Sequence, residues 1–390
     1  MQNALQQPID ESINELLELT ATGLDIDKRL DARLTASYHD LGTWLKTDNA
    51  EKFSSDSELY SQGSKRLGTL TAPVEEPQDC DIDVVYKRDL QRTSVSQREL
   101  KESVGEQLER YVVDRERRGL DVPSIVEGSR CWTLLYRGYH LDVLPALPDD
   151  GEQGGHAEPD AVIITDRNLR HWQSSNPKAY ARWFRKRMAV ALQEGRRILA
   201  KAAGVEVEQV PEHEVKTPLQ VAVQLLKRHR DLFYEGHADD KPISIIITTL
   251  AAHAYANETS VLAAIRNVAE TMHHHIQVVD GVAWVANPTN KDENFADKWE
   301  HFPERRETFG EWLALLREHL AEAANERGID KVASVLSRSF GKSTVENALR
   351  QYGSRRLATR TSGALRASSA GGIGSVGTLI PPHTFHGNGR

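Results

Sequence analysis

The clearest helical pattern in the sequence lies near its N-terminus. Apolar residues recur there at steps of three and four, which places them on one face of a helix. These positions are Ile26, Leu30, Leu34, Tyr38, Leu41 and Leu45. Asp25 can cap the helix through its carboxylate. The length of the pattern predicts a spine helix that lies across the later core. Residues 1–24 are more polar and predict only a short or frayed helix.

Strands and helices are interleaved in the first part of the chain. Residues 94–118 have the spacing of a charged amphipathic helix. Two strand patterns follow at 131–136 and 139–144, joined by a short glycine turn. With a further strand pattern upstream, this mixed order predicts that residues 1–165 form an α/β sheet domain that includes the spine helix.

The pattern becomes largely helical beyond residue 165. Helical spacing is found over residues 179–203, 219–234, 244–255, 261–272 and 309–326. We therefore expect residues 166–350 to form an α-helical lobe. No acidic residue follows Glu346, and residues 351–390 are basic and rich in Ser and Gly. Because such a composition cannot bury much surface, we expect these residues to form a flexible tail.

The composition is ordinary for a soluble protein, with 39% hydrophobic and 27% charged residues among 390. The sequence shows neither a signal peptide nor a bilayer-spanning apolar run, so we expect a cytoplasmic protein without membrane association. Cys80 and Cys131 cannot build a disulfide framework or a four-thiolate zinc site. The net charge of −8 and the pI near 6.0 argue against a long nucleic acid as substrate. Small nucleotides need only a few local cations.

The segment GSKRLGTLTAPVEEPQDCDIDVV, residues 63–85, contains the strongest candidate chemistry. Asp79, Asp81 and Asp83 occupy alternate positions, so their carboxylates would lie on one face of a strand. Clustered carboxylates repel one another unless a cation lies between them, and their oxygens suit Mg²⁺ or Mn²⁺. The upstream Gly63-Ser64 turn offers N–H groups and a hydroxyl to phosphate oxygens. Together they predict a metal-dependent nucleoside triphosphate site.

Nucleotidyl transfer through two metal ions needs a third carboxylate from a neighbouring strand. Asp142 is the best candidate, because it is isolated in an apolar strand where an unpartnered aspartate would be costly. The non-catalytic alternative is an acidic loop that includes Asp79 and a turn capped by Asp142. We favour that alternative for Asp79 alone, which lies nearer the loop. GSKRLGT is not a P-loop sequence, since no Gly-Lys-Ser/Thr follows at the required spacing.

These motifs resemble those of a known family. GS followed by GT, then DIDVV, then the isolated aspartate of HLDVLPA resembles the polymerase-β-like nucleotidyltransferases. The segments SSNPKAYARWF, QLLKRHRD, PISIIITTLAA and ANPTNKDENFADKW narrow the resemblance to the bacterial cGAS/DncV-like nucleotidyltransferases. These are cyclic-oligonucleotide synthases of anti-phage CBASS systems and relatives of animal cyclic GMP-AMP synthase. The resemblance covers most of residues 25–330.

The resemblance implies a fold and a set of site residues. The fold would be a polymerase-β-like nucleotidyltransferase sheet domain with a C-terminal helical lobe. Asp81, Asp83 and Asp142 would hold two Mg²⁺ ions. The residues expected to contact the triphosphate are Gly63, Ser64, Lys227 and Ser244. For Lys227 an alternative of equal weight is a solvated basic helix face, because Arg228 and Arg230 lie beside it.

The implied function is the condensation of nucleoside triphosphates, with ATP expected among them, into a cyclic di- or trinucleotide second messenger in anti-phage defence. The implied partners are a ubiquitin-ligase-like protein acting on the C-terminal tail or a HORMA-type regulator. The basic DNA-binding surfaces of the animal relative have no evident counterpart, so activation by DNA is not implied. Two alternatives stay open: transfer of nucleotides to RNA ends or protein, and an inactive scaffold acting through its tail.

Overall fold

The computed structural model describes most of the chain. The described residues are 2–48, 56–74, 79–151, 159–165 and 171–362, with the pairs 366–367, 373–374 and 378–379. Most of the predicted tail therefore lies outside the described residues. None of the helices in the described part of the chain combines the length and the apolar character needed to cross a membrane.

The first part of the chain forms a mixed sheet with helices. Its elements are α1 (Gln2–Thr22), α2 (Lys28–Thr47), β1 (Ser57–Ser61), α3 (Gly63–Leu67), β2 (Cys80–Arg88), α4 (Gln97–Arg117), β3 (Ser124–Glu127), β4 (Trp132–Tyr136), β5 (Tyr139–Pro148), β6 (Val162–Ile164) and β7 (Gln173–Ser175). The central strand order is β1-β2-β5-β4-β3, and β6 pairs with β5 and β7. Strands β2 and β5 are parallel, and the other pairs are antiparallel.

The alternation of side chains along β2 and β5 gives the sheet two different faces. Ile82 and Val84 of β2 pack with Leu141 and Val143 of β5 beneath helices α2 and α4. All four side chains are almost fully buried, and each such residue contributes about 1.5–3 kcal/mol through the hydrophobic effect. The intervening positions of both strands, where the acidic residues occur, must point to the opposite face.

The spine helix is present as α2, but its cap differs from the prediction. Asp27 accepts hydrogen bonds from the backbone N–H groups of Arg29 and Leu30. Asp25 was the wrong choice of cap: it pairs with Lys216 and accepts a 3.0 Å hydrogen bond from Gln224. The helix therefore begins two residues later, and Asp25 is a contact to the helical lobe.

The second part of the chain is the predicted α-helical lobe. Its elements are α5 (Pro177–Arg187), α6 (Ala189–Ala203), α7 (Pro218–Phe233), α8 (Ser244–Ala254), α9 (Val261–Thr271), β8 (Gln277–Val279), β9 (Val282–Trp284), β10 (Ala286–Asn287), β11 (Asn290–Asn294), α10 (Glu304–Asn325), α11 (Ile329–Phe340) and α12 (Lys342–Thr361), followed by the pairs β12 (Arg366–Ala367), β13 (Ile373–Gly374) and β14 (Thr378–Leu379). The predicted helix over 179–203 is two helices, separated at Met188. Helix α12 continues through residue 350, where we placed the start of the tail.

Helix α1 was underestimated from the sequence. It is 21 residues long and buries Ile13, Leu16 and Leu17 in the core of the helical lobe. Tyr352 and Arg356 of α12 contact its outer side through Ser12 and Glu15. These partners come from the far end of the chain, so local periodicity could not reveal them.

Candidate active site

One cavity of about 680 Å³ lies between the sheet and helices α7 and α8. Its lining includes every residue that we selected from the sequence: Gly63, Ser64, Asp81, Asp83, Asp142, Lys227 and Ser244. These residues come from α3, β2, β5, α7 and α8. The fold therefore brings the two halves of the predicted site to one place.

The carboxylates meet because β2 and β5 are adjacent parallel strands. Asp83 is directly opposite Asp142 in the register, and Asp81 is opposite His140. The third strand also contributes, because Thr133 of β4 pairs with Asp142. The Thr133 hydroxyl donates a 2.5 Å hydrogen bond to Asp142 Oδ1. One oxygen of Asp142 is thus fixed, and the other is available to a ligand in the cavity.

Burial and mutual repulsion make this cluster electrostatically costly. Burial, with the charges of Asp142 and Asp81, raises the pKa of Asp83 to about 6. Burial and Asp142 also raise the pKa of Asp81. Carboxylate oxygens crowded in this way suit a hard divalent cation. In the described part of the chain, no three His, Cys, Asp or Glu side chains are already close enough together to hold a metal ion.

The Gly63-Ser64 turn is packed directly against Asp83. Gly63 has φ +57°, a backbone conformation that favours glycine. A Cβ atom at this position would lie 2.7 Å from Asp83 Oδ2. The backbone N–H of Gln62 also donates a 2.9 Å hydrogen bond to the Asp83 carbonyl. The turn and the acidic strand are therefore one unit, and only glycine fits between them.

Lys227 is buried, so the alternative of a solvated basic face is wrong. Its side chain is 4% exposed, and the neighbouring Arg228 and Arg230 are also buried. The ammonium group donates hydrogen bonds to the Thr69 carbonyl at 3.1 Å and to Thr69 Oγ1 at 3.3 Å. Burial, assisted by the charge of Arg230, lowers the pKa of Lys227 to about 8. Burial makes the charged form of Lys227 costly, so an anionic ligand in the same cavity would stabilise it.

Lys227 is part of a row of donors on one face of α7. Four side chains, at steps of four, three and one, donate to backbone carbonyls in the loop 67–73. The pairs are Gln220 with Leu67 at 2.9 Å, Gln224 with Leu70 at 2.6 Å, Lys227 with Thr69 at 3.1 Å, and Arg228 with Ala72 at 2.8 Å. This row connects the helical lobe to the loop between the turn and the acidic strand.

Ser244 is held by a neighbour that we did not select. Arg230 donates a 2.9 Å hydrogen bond to Ser244 Oγ and a 3.1 Å hydrogen bond to the Pro242 carbonyl. Its guanidinium group is also 2.7 Å from Asp231. The orientation of Ser244 at the start of α8 therefore depends on α7.

Comparisons with known proteins agree with this geometry. The family model of the nucleotidyltransferase domain of DncV-like cyclic GMP-AMP synthases matches residues 57–145, which contain the turn and all three carboxylates. A c-di-GMP synthase of Roseivirga ehrenbergii is 28% identical over 333 residues, covering 84% of each chain. These similarities identify the chain as a nucleotidyltransferase that resembles the DncV-like synthases. The cyclic dinucleotide synthase CdnG of Bradyrhizobium diazoefficiens is also similar, at 24% identity over 98% of this chain and 96% of its own.

Solved structures confirm the fold of this nucleotidyltransferase. The GTP complex of Bradyrhizobium diazoefficiens CdnG superposes with a TM-score of 0.67 at 21% identity, over 87% of this chain and 99% of that chain. Vibrio cholerae DncV cyclic AMP-GMP synthase superposes with a TM-score of 0.53 at 13% identity, over 89% of this chain and 91% of that chain. The predicted polymerase-β-like sheet domain with a helical lobe is therefore confirmed.

The site of this nucleotidyltransferase also contains residues that sequence reasoning missed. His140 contacts both Asp79 and Asp81. Burial and the other carboxylates raise the pKa of Asp83, and the charge of Arg130 acts in the opposite direction. A signal for His140 was present, since it is two residues before Asp142 and so lies on the same face of β5. Arg130 lies between β3 and β4 and belongs to neither strand, so strand alternation does not predict where its side chain points.

Proposed function

We propose that the protein condenses two nucleoside triphosphates into a cyclic dinucleotide and releases two pyrophosphates. The observation that carries this proposal is the single cavity shared by the three carboxylates, the Gly63-Ser64 turn, and Lys227 with Ser244. Two similar proteins, named c-di-GMP synthase and cyclic dinucleotide synthase CdnG, support the same class of product. A dinucleotide is therefore favoured over the trinucleotide that the sequence alone also allowed.

The residues that would hold Mg²⁺ or Mn²⁺ are Asp81, Asp83 and Asp142. Their oxygens fit such an ion chemically, and burial with the neighbouring carboxylates raises the pKa of Asp83 in spite of the charges of Arg130 and Lys227. When bound, divalent ions supply charge neutralisation and activation of the attacking hydroxyl. Thr133 keeps one oxygen of Asp142 fixed, and Gly63 leaves room for Asp83. These residues preorganise the acidic side of the cavity.

The opposite side of the cavity would bind the triphosphate. The Lys227 ammonium can neutralise phosphate charge, and the Ser64 and Ser244 hydroxyls can donate to phosphate oxygens. Because Arg230 fixes Ser244 and Thr69 fixes Lys227, these groups are held before the nucleotide arrives. Preorganisation of this kind reduces the ordering cost of binding.

We propose GTP as the first substrate to test. The Roseivirga ehrenbergii relative is named a c-di-GMP synthase, and the Bradyrhizobium diazoefficiens structure contains GTP. ATP, which we expected from the sequence, stays a prediction and belongs in the same assay. Each nucleotide should be supplied alone and in pairs, so that product yield reports the preferred combination.

The proposed biological setting is anti-phage defence in the cytoplasm. A solved structure of an Escherichia coli CdnC:HORMA-deltaN complex has the same fold at 13% identity, with a TM-score of 0.57. It supports a HORMA-type regulator as one possible partner. The ubiquitin-ligase-like partner predicted for the tail concerns residues that lie largely outside the described part of the chain, and it stays a prediction.

The test is incubation of purified protein with α-labelled GTP and Mg²⁺, followed by phosphatase treatment. A cyclic dinucleotide has no terminal phosphate and keeps its label, whereas a linear product loses its triphosphate. Parallel reactions with an RNA primer and without one separate this proposal from RNA-end transfer. Label on the primer or on the protein would contradict the proposal. A dinucleotide that loses half of its label to phosphatase, which is the label of a terminal 5′ phosphate, would contradict ring closure.

A further inference from the structure

His140 lies between two carboxylates at the edge of the cavity. Its Nδ1 atom is 3.2 Å from Asp81 Oδ1, and its Nε2 atom is 2.8 Å from Asp79 Oδ2. Both ring nitrogens are thus occupied, and the ring cannot rotate without losing both contacts. Asp79, which we assigned to the loop, is a contact of the ring on the side away from Asp81.

The three carboxylates of the proposed metal site differ in what restrains them. Asp142 receives the Thr133 hydroxyl, and Asp83 is packed against Gly63. The Asp81 side chain is 70% exposed, so close packing does not hold its carboxylate in one position. Among the described residues, His140 is the side chain that hydrogen bonds to Asp81. Without that contact, rotation about the side-chain torsions of Asp81 would be free to move the carboxylate away from an ion.

We propose that Asp79 and His140 form a positioning pair that holds Asp81 ready to bind a divalent cation. This inference rests on the proposed function, because it takes Asp81 to be a metal ligand. Asp79 contacts Nε2 and orients the ring, and Nδ1 contacts Asp81. Partners that orient a ligating side chain in this way are worth about 10–100-fold in metal affinity or activity.

The backbone explains how the three side chains meet. Asp79 directly precedes β2 and Asp81 is its second residue, and both line the cavity. His140 is the register partner of Asp81 on β5. Side chains opposite each other on neighbouring strands are the ones close enough to interact. The contact between His140 and Asp81 therefore follows from register, and Asp79 reaches the ring from the residue just before β2.

Two isosteric substitutions separate the two roles of the ring. His140→Asn keeps an N–H donor near the position of Nδ1, which faces Asp81. His140→Gln places its donor near the position of Nε2, which faces Asp79. The readout is the dissociation constant for Mn²⁺, measured by calorimetry on the full chain without nucleotide. We expect His140→Gln and His140→Ala to weaken Mn²⁺ binding by about 10–100-fold, and His140→Asn to retain most of the affinity.

Asp79 is tested through its coupling to His140. Asp79→Asn should weaken Mn²⁺ binding in the wild-type background. It should have little further effect beside His140→Ala, because the group through which Asp79 acts is then absent. Additive losses would mean that Asp79 contacts the ion directly and would overturn the pairing. Melting temperatures of all variants show whether a loss of affinity reflects a loss of folding.

The proposed function and this inference fail in different ways. If Asp81→Asn plus Asp83→Asn binds Mn²⁺ as the wild type does, the metal site is elsewhere and both are overturned. If Mn²⁺ binding requires Asp81 and Asp83 but His140→Gln and His140→Ala bind normally, the inference alone is overturned. Equal losses in His140→Asn and His140→Gln would also overturn the assigned role of Nδ1.

Discussion

Asp83 on β2 and Asp142 on β5 are directly opposite each other on adjacent parallel strands. Each raises the electrostatic cost of the other, and Asp142 is the largest charge effect on the pKa of Asp83. Such an arrangement destabilises the empty protein, and the proposed divalent cation would offset that cost. Removing one of the two charges should therefore raise stability and lower activity.

Asp142→Asn should raise the melting temperature of the metal-free protein and abolish most of its activity. The amide keeps an oxygen that can accept from Thr133 but removes the repulsion of Asp83. The catalytic rate should fall on the order of 10²–10³-fold, as when one electrostatic stabiliser is removed from an active site. Calorimetry at pH 7 with a chelator measures the first effect. A lower melting temperature would contradict the assigned repulsion.

Gly63→Ala should abolish activity for a steric reason. The added Cβ atom would lie 2.7 Å from Asp83 Oδ2, in a residue whose φ is +57°. Gly204→Ala is the matched control, because its φ is +68° and its Cβ atom would meet nothing within 4 Å. Both should lose about 1–2 kcal/mol of unfolding free energy from backbone strain. Only Gly63→Ala should lose activity, and equal activities would contradict close packing of the turn against Asp83.

Nucleotide affinity should depend on pH through Lys227. Its pKa is about 8 in the free protein, so the ammonium loses its proton as the pH rises through that value. Triphosphate binding should then weaken, by about tenfold or more if one charge-assisted hydrogen bond is lost. Lys227→Gln should bind weakly at every pH and show no transition near 8. Fluorescence titrations at constant ionic strength measure the nucleotide affinity of both proteins across this pH range. If the transition near pH 8 persists in the variant, another group causes the pH dependence.

The same pKa shift predicts how stability changes in alkaline solution. In the unfolded chain the lysine keeps its ordinary pKa of 10.5, whereas the folded value is about 8. Between these values the unfolded state binds more protons, so this residue makes stability rise with pH in that window. Below pH 8 the folded protein carries a buried ammonium at a cost. Urea unfolding at pH 7.5 and at pH 9.5 measures the free energy of unfolding of the wild type and of Lys227→Gln. The difference in this free energy between the two proteins should shrink or change sign at the higher pH.

Gln224→Ala tests the row of donors on α7. The glutamine donates at 2.6 Å to the Leu70 carbonyl and at 3.0 Å to Asp25. Its removal leaves a carbonyl without its partner, which costs about 1–3 kcal/mol when the group is buried. We also expect a higher KM, because the loop that carries Thr69 is less firmly held. An unchanged free energy of unfolding would show that the loop does not depend on this contact.

Local patterns were enough to select the carboxylates and the Gly63-Ser64 turn of the candidate site, whereas Lys227 and Ser244 came from the family resemblance. The alternation of Asp81 and Asp83, and the isolation of Asp142 among apolar residues, predicted a shared face and a shared role. Asp142 is far from Asp83 in the sequence, but it could still be selected. A carboxylate in an apolar strand is costly unless another polar group or a cation contacts it. The choice between parallel and antiparallel pairing of β2 and β5 was not available from the sequence.

The errors came from contacts between distant segments. Lys227 lies in a run of basic residues, so a solvated surface had equal weight in the sequence, and its contacts with Thr69 could not be foreseen from that run. Asp25 satisfies the usual pattern of a helix cap, but Lys216 and Gln224 engage it instead. His140 was overlooked because it is unremarkable until the register of β2 and β5 places it opposite Asp81.

The most direct test of the account is mass analysis of the product formed from GTP and Mg²⁺. Wild-type protein should yield a cyclic dinucleotide that retains no terminal phosphate. Asp81→Asn plus Asp83→Asn, shown by circular dichroism to be folded, should yield none. A linear dinucleotide as the final product of the wild type, or a cyclic product from the double variant, would contradict the central claim that these carboxylates support cyclic dinucleotide synthesis.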